Sequence, residues 1–202
     1  MLIKPSIVNI SPTDDIQATI DALPALGGEV VLGAGVYTIT AAIRLRRGIT
    51  LSGQAWAGWS ETAGGGPYDC PTKIYCANAN VNIIEAIDAP YCKLSNLQLT
   101  GPGTAGTQIG LKSEPSAYTI MPGLTLDRVL ISYCGDSGMR IKNNYLSNYT
   151  NVFCVNNKGD GCYIATPAGG VSNPHFIMDN CWFLGNGGLG LQGWNLGPAV
   201  FR

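Results

Sequence analysis

Residues 151–164 read NVFCVNNKGDGCYI. Val152 and Cys154 sit two apart, a polar NNKGDG turn follows, and Cys162 and Ile164 again sit two apart beyond a glycine. Apolar residues at that spacing share one face of a strand, so the segment reads as strand, turn, glycine, strand. The segments on either side repeat it. Residues 128–141, RVLISYCGDSGMRI, and residues 180–191, NCWFLGNGGLGL, fall into the same frame. Val129, Val152 and Cys181 share one position, and Ile131, Cys154 and Phe183 the position two residues on. Gly138, Gly161 and Gly188 are matched after the turn. Beyond them come the inward pairs Met139 and Ile141, Cys162 and Ile164, and Leu189 and Leu191.

The pattern extends upstream. Residues 94–100, LSNLQLT, bring Leu97 and Leu99 to the inward pair, and residues 108–113, QIGLKS, bring Ile109 and Leu111 to the strand after the turn. Asn96, Asn151 and Asn180 share a position at which Arg128 is the exception. Steps of 32, 23 and 29 residues separate Leu97, Val129, Val152 and Cys181, so the variation sits in loops while the strand motif is kept. A repeat of about two dozen residues with variable loops means stacked supersecondary units. The fold this predicts is all-β, a single-stranded right-handed parallel β-helix with coils ~4.8 Å apart. Apolar side chains line its interior, and the asparagines form an amide ladder at a bend, bonded to turn backbone. A leucine-rich solenoid fits less well, because the leucine spacing and helical segments are missing.

The first third has a different grammar. Residues 13–23, TDDIQATIDAL, place Ile16, Ile20 and Leu23 on one helical face, with Thr13 as N-cap and acids in the first turn. This helix is expected to cover the open edge of the first coil. Short β-branched runs follow between Gly27 and Gly53, at Val30-Val31, Tyr37 to Thr40, Ile43 to Leu45 and Ile49 to Leu51, and later at Lys73 to Cys76, Val81 to Ile84 and Lys93 to Leu99. Residues 54–71 lack periodicity and carry Trp56, Trp59 and Tyr68 among glycines, which reads as a long loop. The expected organisation is one domain over 1–202, with coils over 27–202.

Only 12% of the 202 residues are charged and the net charge is −1, which argues against a nucleic-acid groove or a polybasic membrane face. No apolar run approaches the ~20 residues of a membrane span, and the first residues carry no signal-peptide core. Of the seven cysteines, Cys154, Cys162 and Cys181 occupy inward positions that Val, Ile and Met fill in neighbouring segments. They read as reduced core thiols. Cys70, Cys76 and Cys92 lie in a less regular region, where one bridge stays open as an alternative. With no CxxC pair and His175 the only histidine, no metal or cofactor site is expected.

The N-terminal motifs carry a family resemblance: Asp14-Asp15 through Asp21-Ala22, Gly27-Gly28-Glu29-Val30, Gly35-Val36-Tyr37-Thr38-Ile39 and Gly48-Ile49-Thr50-Leu51-Ser52-Gly53. Their order resembles the signature of pectate-lyase-like β-helix proteins, a group of pectate lyases, polygalacturonases, mannuronan epimerases and phage tailspike depolymerases. The turn Gly33-Ala34-Gly35 departs from the family's proline-containing version. The resemblance implies a polysaccharide ligand, acidic or complex, and a lyase, hydrolase or epimerase reaction. The alternatives are a non-catalytic glycan-binding or structural β-helix of a spike or adhesin, and a fragment of a longer depolymerase. It also implies an extracellular or virion-associated location and, by analogy with phage spikes, a homotrimer. Arg140-Ile141-Lys142 matches the last polygalacturonase motif, but no Gly-His-Gly is present.

Alternation places Lys112, Arg140, Lys142, Tyr163 and Gln192 on the outward face of the strand that follows each turn glycine. Asp136 and Asp160 lie in the preceding turns. Stacked on neighbouring coils, their carboxylates are expected within ~5–9 Å, a range suited to paired glycosidase carboxylates, with a cation to neutralise a uronate. The candidate catalytic set is therefore Asp136, Asp160 and Arg140, and the candidate substrate-binding set is Lys112, Lys142, Tyr163, Trp56 and Trp59. Against this stands the ordinary role of Asp before Gly in turns. His175 reads as a loop residue. Leu130, Phe153 and Trp182 form an outward apolar stripe suited to a covering loop or a neighbouring chain. The tail GWNLGPAVFR shows no cap, so the last coil is expected to be continued or to associate through Phe183, Leu189 and Leu191.

Overall fold

The computed structural model describes residues 6–54, 70–117, 120–165, 175–194, 196 and 199–202. Trp56, Trp59, Tyr68 and Pro198 lie outside these residues. Among the described residues every strand pair is parallel. One sheet follows the chain coil by coil through Ile7–Ile10, Gly28–Leu32, Ile49–Gly53, Lys93–Thr100, Thr125–Ser132, Ser147–Val155, Phe176–Asp179 and Ala199–Phe201. A second sheet of six strands runs beside it, from Ile43–Arg44 through Ile84–Ile87, Leu111–Glu114, Met139–Lys142 and Cys162–Ala165 to Leu191–Trp194. Consecutive strands of each sheet are joined by one turn of the chain, so the protein is a parallel β-helix, wound in the right-handed sense of parallel crossovers.

The inward columns stack as the repeat predicts. Leu97, Val129 and Val152 are paired along one column, and Leu99, Ile131, Cys154 and Phe183 along the next. Together with Ile16, Ile20 and Leu23 they belong to one continuous apolar core. All seven cysteines are free, and six are buried in or beside that core. The bridge left open among Cys70, Cys76 and Cys92 is not formed.

In two places the register differs from the sequence reading by two residues. Met139 pairs with Leu111 and Ile141 with Ser113, not with Ile109 and Leu111. Cys162 pairs with Leu191 and Ile164 with Gly193, so Leu189 is exposed rather than inward. The glycine column is Gly110, Gly138, Gly161 and Gly190, and at the first three the turn passes close to an inward side chain of the following coil. A Cβ on Gly138 would come 2.9 Å from the Cβ of Cys154, and one on Gly161 3.0 Å from that of Phe183. Gly188 instead stacks on Gly159.

Asparagine is favoured at the matched bend because the backbone is left-handed there. Asn96, Arg128, Asn151 and Asn180 all have φ between 50° and 55°, a region that Asn tolerates best among non-glycine residues. The side chains bond rung to rung, not to turn backbone as expected: Arg128 Nε donates to Asn96 Oδ1 and Asn180 Nδ2 to Asn151 Oδ1. Backbone bonding comes instead from a second ladder inside the NNKGDG turn. Asn157 and Asn186 donate to the carbonyls of Ile131 and Cys154, and their Oδ1 atoms accept from the amides of Cys134 and Asn157.

The helix is Ile16–Ala22, shorter than predicted. Its N-cap is Asp15, which accepts from the Ala18 amide, so the acids precede the first turn instead of occupying it, and Thr13 bonds to Ser11. Gln17 pairs its amide group with both N–H and C=O of Arg44, closing the otherwise open edge of the six-stranded sheet. The expected strand at Val81 to Ile84 begins only at Ile84, because Asn82 turns its side chain to the Ile109 amide and to Glu85. The strand Ile7–Ile10 was not anticipated, nor was Ala199–Phe201, which adds a rung within the tail that shows no cap.

Candidate functional site

Each strand of the six-stranded sheet shows alternate side chains to the outside. Pairing puts Arg44, Glu85, Lys112, Arg140, Tyr163 and Gln192 in one outward column, one per coil. Two residues further along the strands run Glu114 and its neighbours Lys142 and Ala165. Asp136, Ser137, Arg140, Lys142, Gly159, Asp160, Tyr163 and Gln192 line a groove of about 310 Å³ on this face. Five of the sequence-selected residues are thereby brought together. Lys112 lies one rung away, and Trp56 and Trp59 fall outside the described residues.

The two aspartates do not stack on each other. Lys158–Cys134 and Gly159–Asp136 backbone bonds set Asp136 against Gly159, and Asp160 lies one position further on, beside Gly138. Both side chains reach forward along the coil axis. Asp136 Oδ2 binds Arg140 at 2.8 Å and its Oδ1 accepts from Ser137. Asp160 Oδ1 accepts from the Leu189 amide at 2.8 Å in the next coil. Each carboxylate thus has a structural partner, Asp136 among the side chains of its own coil and Asp160 in the backbone of the next.

Arg140 also lies over the Tyr163 ring, 5.9 Å from its centroid. Lys112 and Lys142 converge on Glu114, at 2.8 Å and 3.0 Å. Burial disfavours the charged form of Glu114, but the two lysines outweigh it and hold its carboxyl below the ordinary carboxylate range. Glu114 and Glu85 escaped the sequence reading. The signal for Glu114 was the Lys112-Ser113-Glu114 alternation, which puts a cation and an anion on one strand face. Arg44 is similarly paired with Glu85, at 3.6 Å. The face is a ladder of matched charges around an aromatic ring.

Among the described residues no group of three or more His, Cys, Asp or Glu side chains is placed to hold a metal, and no helix is long and apolar enough to cross a membrane. A hollow of about 400 Å³ beside the helix is larger than the groove, but Asp14 and Asp15 in its wall are committed to capping Ser11 and Ala18. His175 packs on Tyr145 at a corner of the coil, away from the groove residues. The outward stripe is partly covered: Leu130 and Phe153 are buried with Cys70 and Val155 in a small second cluster, while Trp182 stacks on Phe153 and stays 45% exposed.

No protein-family model and no curated protein matches the sequence. Solved structures similar to the chain include a Geobacillus virus E2 protein, ORF18, at TM-score 0.53 and 19% identity, over 89% of this chain and 39% of that one. Two Azotobacter vinelandii mannuronan C-5 epimerase A-modules match at TM-score 0.57. That of AlgE6 is 19% identical over 87% of this chain and 53% of its own, and that of AlgE4 is 20% identical over 92% and 58%. The chain spans between about two fifths and three fifths of the length of these structures. The likeness is one of fold, a parallel β-helix.

Proposed function

We propose that this chain binds an acidic polysaccharide across the outward face of Met139–Lys142 and Cys162–Ala165 and modifies it there, by lyase, hydrolase or epimerase chemistry. The observation that carries this is the groove itself, which collects Asp136, Arg140, Lys142, Asp160 and Tyr163 on adjacent rungs. Arg140 and Lys142 would hold a uronate carboxylate, Tyr163 would carry a sugar ring, and Lys112 would extend the contact one coil further. Asp160 has one oxygen fixed by the Leu189 amide, which orients the carboxylate while leaving the other oxygen for a substrate proton. Asp136 sets the position of Arg140. Similarity in fold to proteins named as mannuronan epimerases supports a polysaccharide ligand. On this reading the chain works outside a cell or on a virion.

A second reading, glycan binding without turnover as in a spike, is favoured by the same hydrogen bonds, since both aspartates already have partners within the protein. Release of unsaturated uronate, reducing ends and solvent-exchanged C5 protons on a panel of polyuronates separates the two. Turnover that falls at least a hundredfold in Asp160→Asn, with folding intact, is the expected result. Binding without turnover in the unaltered protein establishes the second reading. Binding unchanged by Arg140→Ala combined with Lys142→Ala sinks the groove as the site.

A further inference from the structure

On the groove face every basic side chain has a carboxylate partner. At a different corner of the coil two basic residues do not. Arg47 lies over Tyr91 and Lys93 follows it two residues along the chain, and neither basic residue takes part in an ion pair among the described residues. The nearest acid along the chain, Asp88, spends its Oδ1 on the Ser116 amide.

The corner is built from left-handed residues stacked coil on coil. Gly48, Tyr91, Gly123 and Leu146 occupy one column, with φ of 72°, 61°, 81° and 53°, linked by bonds from Gly48 to Pro90, Tyr91 to Pro122 and Gly123 to Tyr145. Two of these positions are glycine, as that backbone prefers. Tyr91 is a bulky residue held there against its conformational preference, and such outliers point to function. Its ring is 56% exposed. It lies along the wall over Gly123, where any Cβ would come within 2.6 Å of Tyr91 Cδ1. The Arg47 guanidinium, from the preceding coil, lies 5.7 Å from the ring centroid. Further along the same corner, Tyr145 packs on His175 with centroids 4.8 Å apart.

We propose that this corner is a second binding site for an acidic saccharide chain lying parallel to the coil axis, with a sugar ring on Tyr91 and its carboxylate between Arg47 and Lys93. Exposed aromatic faces take the apolar faces of sugars, and unneutralised cations beside them select for negative charge. Successive coils are ~4.8 Å apart, close to the length of one pyranose unit, so the next sugars along the chain meet the rungs of Pro122 and Tyr145. The inference rests on the reading of the ligand as an acidic polysaccharide. It adds a place where the chain is held away from the groove.

The test is an amide NMR titration with short oligomannuronates and oligogalacturonates, and with their carboxyl-reduced counterparts, on the unaltered protein, Tyr91→Gly and Arg140→Ala. Glycine suits the backbone at position 91, so Tyr91→Gly removes the ring without disturbing the fold. Shifts centred on Arg47, Tyr91 and Lys93 are expected with the acidic oligomers. They should persist in Arg140→Ala and weaken roughly tenfold in apparent affinity in Tyr91→Gly, the loss of about one aromatic contact with its charge. Shifts confined to the groove and untouched by Tyr91→Gly overturn the corner and leave the groove standing. Equal binding of the carboxyl-reduced chains overturns the acidic selectivity. No shift with any oligomer overturns corner and groove together.

Discussion

Leu146 is the residue at which the backbone demand and the side chain agree least. Its φ is 53° and its side chain is 64% exposed, so it has the strain of a left-handed non-glycine residue without compensating burial. Left-handed geometry costs an ordinary residue about 1–2 kcal/mol. Leu146→Asn should therefore raise stability by about 1 kcal/mol in urea unfolding, since Asn visits this region readily and restricts the unfolded chain more than Gly does. An unchanged or lower midpoint would show that Leu146 makes contacts worth the strain. Asn151 has the same backbone and adds a 2.7 Å bond from Asn180. This explains why asparagine recurs at that bend. It also explains Arg128, which tolerates the position while its Nε reaches Asn96 and its Nη2 reaches Asp127.

At the scale of elements, the short helix is held by a residue outside it. Arg46 donates to the carbonyls of Ile20, Leu23 and Pro24 at and just beyond the helix end, and of these Leu23 has no backbone partner in the cap. Arg46→Ala should cost about 2 kcal/mol and expose the sheet edge that Gln17 covers. A midpoint within error of the unaltered protein would show that water replaces the guanidinium at no cost. The outer face of the six-stranded sheet has its own pH signature. Burial opposes the charge on Glu114, but Lys112 and Lys142 together hold its folded-state pKa below that of an ordinary glutamate. Its contribution is complete above the unfolded value and is lost as pH falls through the folded one. Glu114→Gln should lower the Tm at neutral pH and converge with the unaltered protein under acid conditions. Parallel Tm–pH curves for the two would show that the lysine pair contributes nothing.

For the molecule as a whole, the core is unevenly sealed. Interior residues of Lys93–Thr100, Thr125–Ser132 and Ser147–Val155 are fully buried, whereas Phe183 and Leu191 are half-buried and Phe201 is 54% exposed. In a stacked solenoid each coil is stabilised by its neighbours. Hydrogen exchange should therefore be slowest in those three central strands and fastest in Leu191–Trp194 and Ala199–Phe201. Uniform protection would contradict this gradient. Exposed Trp182, Trp194 and Val200 add apolar surface at the same end, and a trimer is the assembly proposed for it. Light scattering at micromolar concentration is expected to give three times the chain mass, and a monodisperse monomer would refute the trimer.

The sequence by itself determined the face of almost every strand, because burial imposes a period of two that can be read locally. It placed Ile131, Cys154 and Phe183 inward and Lys112, Arg140 and Tyr163 outward, as found. The same period is blind to a slip of two residues, which leaves every face unchanged. Ile109 and Leu189 were misassigned for that reason. Only the stacked coils decided the rung, through the glycines that let a turn pass close to a side chain of the following coil. Charge pairing across coils was likewise invisible. Glu114 is separated from Lys142 by nearly thirty residues of chain, and one residue of spacing sets Asp160 one position out of register with Asp136. Alternation depends on which side of a strand faces water, which neighbouring residues reveal. A site depends on which coil lies next to which, and that is set by loop lengths that only the folded stack brings into register.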